Sequence, residues 1–130
     1  MKRETNMLRL AIVSLGGAMG AGARYWVTGV VQKVAGAEFP WGTAVVNLIG
    51  SFLIGFVMTF GTEISSMSTE TRLFLVSGIL GGLTTFSAFG YETVRLIQEG
   101  SLFPAIGNVA LNLIVGLVAV ATGIFMARAY

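Results

Sequence analysis

The sequence has no cysteine, no histidine and no aspartate, and charged residues make up only 11% of its 130 positions. These absences exclude disulfides, thiol nucleophiles, imidazole bases and the usual zinc sites. The only acidic residues are six glutamates, and most of them fall at expected membrane edges or in loops. The chain therefore has few side chains that could support hydrolytic or metal chemistry, and its composition argues against an enzyme. The net charge of +2 comes without a basic stripe, so nothing indicates nucleic-acid binding.

Hydrophobic residues make up 55% of the chain. Soluble domains carry about 25% charged residues, so this chain has too few charges to cover a soluble surface. About 20 apolar residues suffice for a helix to cross a bilayer. Four segments meet this requirement, at 8–31, 43–62, 73–97 and 102–127. We therefore predict an all-α integral membrane protein with one membrane domain over 1–130, whose short linkers make successive helices antiparallel.

The N-terminus resembles a secretory signal peptide, because Lys2, Arg3 and Arg9 precede an apolar run and the small residues 21–23 mimic a cleavage site. The remainder of the chain is equally apolar, so we expect the first segment to be retained as a membrane helix. Four spans place both termini on one side of the membrane, and basic residues favour the cytoplasmic side. The bias is small, five against three, and also suits insertion in both orientations: Lys2, Arg3, Arg9, Arg72 and Arg128 against Lys33, Arg95 and, within the first span, Arg24.

Small residues recur four positions apart inside the predicted spans. The pairs are Gly16 and Gly20, Gly78 and Gly82, and Ala119 and Gly123. Such pairs let helix backbones approach closely in lipid, so we expect them at helix contacts. Because four helices enclose little space, a pore would require a second copy of the chain.

Polar side chains form two stripes at membrane depth. Asn47 and Ser51 are one turn apart in the second span, and Asn108 and Asn112 repeat this spacing in the fourth. Polar residues inside a span are functional candidates by default. The stripes either hold helices together by hydrogen bonds or line an aqueous track, and their pairing on two helices favours the track.

Arg24 lies near the end of the first span, in a segment without a carboxylate. Its side chain either extends to the interface beside Tyr25 and Trp26 or raises the potential of a vestibule that attracts anions. The second span follows the sequence Pro40-Trp41-Gly42, and Thr43 is a candidate N-cap for its helix.

The stretch GGLTTFSAFG, at 81–90, interrupts the third span. Each glycine lowers helix propensity by about 1 kcal/mol, and the hydroxyls that follow compete for backbone hydrogen bonds. We therefore predict a break near 81–85. Free carbonyls are not tolerated in lipid, so the break is either a kink satisfied by hydroxyls or a cavity wall whose carbonyls coordinate a small cation.

Phe86 and Phe89 lie three positions apart and share a helix face. A pair of phenylalanines in a membrane helix is ordinarily lipid-facing or core. An aromatic ring also has an electropositive edge, which can attract an anion without binding it tightly. Neighbouring hydroxyls and amides would then supply the hydrogen-bond donors that a small, strongly hydrated anion needs.

The segments GAGARYW, PWGT, VVNLIGS and GGLTTFSAF occur in this order and cover nearly the whole chain. In this respect the sequence resembles the Fluc or CrcB family of small bacterial fluoride channels. The resemblance implies an antiparallel, dual-topology homodimer in the inner membrane, with two pores that passively export fluoride. It also implies a structural sodium ion at the dimer interface.

The resemblance assigns roles to individual positions. Its fluoride pore would include Phe86, Phe89, Asn47, Thr85, Ser87, Asn112 and Arg24, with Glu92 near a pore mouth. Sodium would bind backbone carbonyls of Gly81 and Thr84 from both subunits. In one respect the sequence departs from the family pattern: Asn112 and Gly116 occupy positions in the fourth span where the family often has serines.

Two rival functions make different demands on the sequence. A small multidrug exporter, which also has four spans and a dual-topology dimer, needs a carboxylate in the membrane, typically in the first span. Here the first span contains Arg24 and no acid. A non-transporting assembly subunit would use the glycine faces and polar stripes only to bind helices.

Overall fold

A computed structural model describes residues 2–130, and this part of the chain contains helices and turns but no β-strand. Helix α1 spans Lys2–Ala35. After a short loop, helix α2 spans Trp41–Ile64, and its last turn, Phe60–Ile64, is π-helical.

The next stretch, Thr69–Gln98, forms a single rod that consists of two helical halves. Helix α3 consists of Thr69–Arg72, the π-helical segment Leu73–Leu80 and the turn Gly81–Leu83. Helix α4 follows over Phe86–Gln98. Helix α5 spans Leu102–Arg128 and contains a π-helical segment of its own, Leu111–Val115.

Three of these rods are long and apolar enough to cross a membrane: α2, the α3–α4 rod over Thr69–Gln98, and α5. The predicted segments 43–62, 73–97 and 102–127 lie within them. The predicted segment 8–31 lies within α1, which is longer but also carries charged residues near both ends. The described residues thus form an all-helical protein with three apolar helices of membrane-spanning length.

Ion pairs join helix ends at one end of the bundle. Arg128 forms two hydrogen bonds with Glu63, of 2.9 and 2.8 Å, which join the ends of α5 and α2. Arg9 lies 3.5 Å from Glu70, joining the beginnings of α1 and α3. Exposed ion pairs contribute little free energy. They nevertheless show that α1 and α3 begin at the same end and that α2 and α5 end together. Because the loop between Ile64 and Thr69 is short, successive rods alternate in direction.

The glycine pairs lie where the prediction placed them, at helix contacts. Gly16 on α1 faces Gly78 on α3 so closely that a Cβ atom on either would lie 2.9 Å from the other's Cα. Gly82 packs in the same way against the carbonyl of Gly17. Gly123 on α5 packs against the Phe52 carbonyl on α2. The expectation of close packing is therefore confirmed for these glycines.

The buried apolar core lies where α1, α2 and α3 meet. Val46, Leu80 and Leu83 form its centre, and the partly buried side chains around them include Val27 and Leu53. This core is small, and about half of the large apolar side chains in the described part of the chain are exposed. A soluble monomer rarely presents so much contiguous apolar surface, whereas lipid accepts it.

The prediction that Thr43 caps α2 is wrong. Helix α2 begins at Trp41, so Thr43 lies inside the first turn, and its hydroxyl donates a 2.7 Å hydrogen bond to Glu92 Oε1. The beginning of α2 is held instead by α1, because the Gln32 Oε1 atom accepts a 3.2 Å hydrogen bond from the Gly42 N–H group. Thr43 thus joins α2 to α4.

Candidate functional site

The third rod is broken at two threonines. Thr84 has φ −83° and ψ 153°, and Thr85 has φ −151° and ψ 113°, so both are extended. The preceding glycines stay helical, as the Gly81 angles of −63° and −36° show. Gly82 packs closely against α1 and Gly81 is exposed, so the glycines stay helical while the threonines form the break.

Two N–H groups at the break leave the helical hydrogen-bond pattern. The Thr85 N–H, which an intact helix would direct to the Gly81 carbonyl, donates to Asn47 Oδ1 at 2.8 Å. The Ala88 N–H, which would pair with the Thr84 carbonyl, donates to Thr85 Oγ1 at 3.2 Å and so begins α4. Both carbonyls therefore lose their usual helical partners.

The side-chain amide of Asn47 pairs with both backbone groups of Thr85, as a neighbouring strand would. Its Oδ1 accepts from the Thr85 N–H, and its Nδ2 donates to the Thr85 carbonyl at 3.1 Å. An unsatisfied backbone group in lipid costs several kcal/mol. Asn47 on α2 thus allows an extended residue to exist at membrane depth.

A chain of side-chain hydrogen bonds continues from Asn47. Its Nδ2 also donates to Asn112 Oδ1 at 2.8 Å. The Asn112 amide donates to both Oδ1 and the backbone oxygen of Asn108, each at 3.0 Å. Asn108 is 0% exposed and donates to Thr93 Oγ1 at 2.9 Å, and Thr93 donates to the Phe89 carbonyl at 2.8 Å. The network therefore holds the first turns of α4 at Thr85 and at Phe89.

The two phenylalanines contact each other at a near-perpendicular angle. Their ring centroids are 5.3 Å apart, and the planes meet at 66°. Phe89 is 6% exposed, whereas Phe86 is 76% exposed. The rings thus extend from the buried network to the protein surface.

A cavity of about 300 Å³ contains most of the predicted site residues. Its lining includes the two rings and the polar groups of the break and the stripes: Phe86, Phe89, Asn47, Thr85, Asn112, Gly81, Thr84 and Ser51. Ser87 is exposed beside it, with its Oγ atom 3.3 Å from Thr85 Oγ1. Arg24 does not line this cavity.

Arg24 lies in a wider cleft of about 860 Å³. Lys33 and Arg95 also line this cleft, and Glu92 is the one carboxylate among its lining residues. The excess of positive charge raises the local potential and attracts anions. Thr85 lines both the cleft and the cavity, so it lies at the boundary between them.

Sequence reasoning missed several residues of this arrangement. Thr43 extends the stripe of Asn47 and Ser51 by one further turn, and this spacing could have placed it beside them. Thr93 lies one turn after Phe89 in the same way. Lys33 and Arg95 gave no comparable signal, because their shared cleft depends on how α1 and α4 meet.

Asn108 offers a test of the network. We expect Asn108→Ala to lower the free energy of unfolding by about 1–3 kcal/mol, because the Asn112 amide and the Thr93 hydroxyl lose buried partners. Thr122→Ala is the control, since the Thr122 hydroxyl is exposed on the same helix and bonds only to the Val118 carbonyl. Thermal unfolding of the purified variants in detergent measures the difference. Equal melting temperatures would contradict the role of the network.

Comparison with known proteins identifies relatives of the whole chain. The protein named fluoride-specific ion channel FluC from Citrifermentans bemidjiense is 44% identical over 123 residues, which cover 95% of this chain and 99% of the relative. The protein of the same name from Geobacter sulfurreducens is 45% identical over 122 residues, or 94% of this chain and 98% of the relative. That from Clostridium perfringens is 43% identical, covering 94% and 95%.

A family model gives the same result. Residues 11–124 match the family described as "CrcB-like protein, Camphor Resistance (CrcB)". The matched region includes both polar stripes, the break and the two phenylalanines. This chain therefore belongs to the CrcB family.

Proposed function

We propose that this protein is a fluoride-selective channel through which fluoride leaves the bacterial cytoplasm passively. The observation that carries the proposal is the Phe86–Phe89 ring pair, which lines the cavity of about 300 Å³ together with Asn47. It occurs in a chain that is 43–45% identical to proteins named as fluoride-specific ion channels. The pathway requires no covalent chemistry and no coupling to an energy source.

The two cavities suggest a route, because Thr85 lines both of them. Anions collect in the cleft near Arg24, pass Thr85 and enter the cavity beside Phe86 and Phe89. Hydroxyls and electropositive ring edges replace part of the ion's hydration shell. Fluoride that accepts an N–H from Asn47 displaces the Asn112 Oδ1 atom or the Thr85 carbonyl, because Asn47 Nδ2 already donates to both.

The proposed assembly is an antiparallel homodimer in the inner membrane, with four crossing helices per subunit and two pores. In this arrangement α1 is the fourth crossing helix. Support comes from the open side of the site, where Phe86 is 76% exposed and Ser77, Gly81 and Ser87 are also exposed. A second copy would close the polar wall that one chain leaves open.

The break also fits a structural sodium ion. Hard cations such as sodium take oxygen ligands, and unwound helix segments supply them as backbone carbonyls. The carbonyls of Gly81 and Thr84 are among those that lose their helical partners at the break, because the Thr85 and Ala88 N–H groups donate to side chains instead. Bound by both subunits, the ion would neutralise these carbonyl dipoles and hold the dimer together.

The first test is anion flux. The protein in liposomes should release fluoride measured with a selective electrode, whereas chloride efflux should stay near the rate of protein-free liposomes. A multidrug exporter and an assembly subunit both predict no fluoride efflux. Absent fluoride efflux, or chloride efflux at the same rate, would overturn the proposal.

The second test addresses the rings. Replacing Phe86 or Phe89 with isoleucine should lower the fluoride rate about fivefold or more, since about 1 kcal/mol of lost ion stabilisation corresponds to that factor. Phe125→Ile is the matched control, because Phe125 is 73% exposed on α5 and lines neither cavity. Undiminished flux in both ring variants would exclude the aromatic role.

The third test addresses sodium. Because a ligand bound only by the folded assembly stabilises it by mass action, sodium at about 100 times its dissociation constant should add about 2.7 kcal/mol. The melting temperature of the purified protein should therefore be higher in sodium chloride than in N-methylglucamine chloride of equal ionic strength. The same melting temperature in both salts would argue against the sodium site.

A further inference from the structure

Ser51 lies one helical turn after Asn47 on α2 and lines the same cavity as Asn47, Asn112 and the two phenylalanine rings. We infer that the Ser51 hydroxyl is a hydrogen-bond donor to the conducted anion. The inference rests on the proposed channel function and extends its polar track beyond the break. It concerns a side chain that neither the resemblance nor the relatives' names assign to the pore.

The amide donors of the cavity are already engaged. Asn47 Nδ2 donates to the Thr85 carbonyl and to Asn112 Oδ1. Asn112 Nδ2 donates to both oxygens of Asn108. An anion that used either amide would break part of the network that holds the broken backbone. The available donors in this cavity must therefore be hydroxyls.

Of the three hydroxyls that line the cavity, two take part in local bonds. Thr84 Oγ1 donates to the Leu80 carbonyl at 2.9 Å. Thr85 Oγ1 accepts from the Ala88 N–H and lies beside Ser87. Ser51 forms no hydrogen bond with any residue among 2–130. Its hydroxyl is thus a donor that a fluoride ion can use without displacing another partner.

The free hydroxyl of Ser51 contrasts with those of four helical threonines, whereas the helical serines Ser14 and Ser77 are, like Ser51, without a hydrogen bond among the described residues. Thr28, Thr62, Thr93 and Thr122 each donate to the carbonyl four residues earlier, as hydroxyls in membrane helices commonly do. Ser51 does not bond to the Asn47 carbonyl in this way. Its hydroxyl is therefore available to the cavity rather than to its own helix.

The residue opposite Ser51 preserves this availability. Gly116 on α5 is buried, and a Cβ atom there would lie 3.8 Å from Ser51 Oγ. A hydroxyl-bearing side chain at 116 would come within reach of Ser51 and could accept its hydrogen. Glycine leaves both the space and the donor open. The Ser51 hydroxyl on α2 therefore faces a position on α5 that has no side chain.

A serine hydroxyl suits the chemistry of fluoride conduction. Fluoride is small and strongly hydrated, and it must exchange water for other donors. A neutral O–H group replaces one water without the strong attraction of a cationic side chain. Binding is then favourable enough for entry and weak enough for release, as conduction requires.

The test compares fluoride efflux from liposomes that contain Ser51 variants. Ser51→Ala should lower the fluoride rate about three- to tenfold, the range expected for one lost hydrogen bond. Ser51→Thr, which keeps the hydroxyl, should retain at least about half of the rate, within the twofold that less than 0.5 kcal/mol allows. Ser51→Cys keeps the shape of the side chain, slightly enlarged, with a weaker donor, so it should lower the rate and serves if the alanine variant does not fold. Ser14→Ala is the control, because Ser14 is exposed on α1 and lines neither cavity.

The outcomes separate this inference from the channel proposal. If the unmodified protein conducts no fluoride, the channel proposal fails and the inference fails with it. If it conducts, a rate for Ser51→Ala or Ser51→Cys equal to that of Ser14→Ala overturns the inference alone. Equal losses in Ser51→Ala and Ser51→Thr would also overturn it, since both losses would then reflect packing. An unchanged elution volume establishes that each variant keeps its assembly.

Discussion

The pairing of the Asn47 amide with the Thr85 backbone is the interaction on which the site depends. Lipid does not hydrate exposed peptide groups, so an extended residue at membrane depth needs partners within the protein. Asn47 supplies an acceptor and a donor at 2.8 and 3.1 Å. A carboxylate could only accept and a hydroxyl is too short to reach both groups, so an amide is the side chain that fits.

The same pairing determines where α4, the helix that carries Phe86 and Phe89, begins. Thr85 is fixed by Asn47 on one side and caps α4 on the other through the Ala88 N–H. One turn later, the network returns through Asn112, Asn108 and Thr93 to the carbonyl of Phe89. The first turn of α4 is thus held at both ends. The directions of Phe86 and Phe89 follow from a polar network rather than from apolar packing alone.

Local features of the fold could be predicted from the sequence. The glycine pairs indicated close helix contacts because small side chains act wherever a second helix approaches, whatever its identity. The stretch at 81–85 indicated an interruption because its threonines compete with helical hydrogen bonds. The assignment within that stretch differed, since both glycines remain helical and only Thr84 and Thr85 are extended.

Contacts between distant segments could not be predicted in the same way. Asn47 bonds to residues 38 and 65 positions away, and the relative rotation of α2, α4 and α5 decides these partners. The sequence therefore showed the polar stripe of Asn47 and Ser51, but not that Asn47 would satisfy the backbone groups of Thr85 at the break. Thr43 was misassigned for a related reason, because an N-cap is a local motif and the bond to Glu92 is a tertiary one.

The amides and the hydroxyl of the polar stripes differ in how many of their hydrogen-bond donors are already used. Each asparagine has two N–H groups, and in this network those of Asn47 and Asn112 are directed at protein oxygens. Holding a broken backbone demands such strong, saturated bonding, whereas passing an ion demands donors that can be released. The two demands conflict in one side chain but not in two that are one turn apart. In the proposed channel, an amide at 47 and a hydroxyl at 51 would meet both demands on a single helix face.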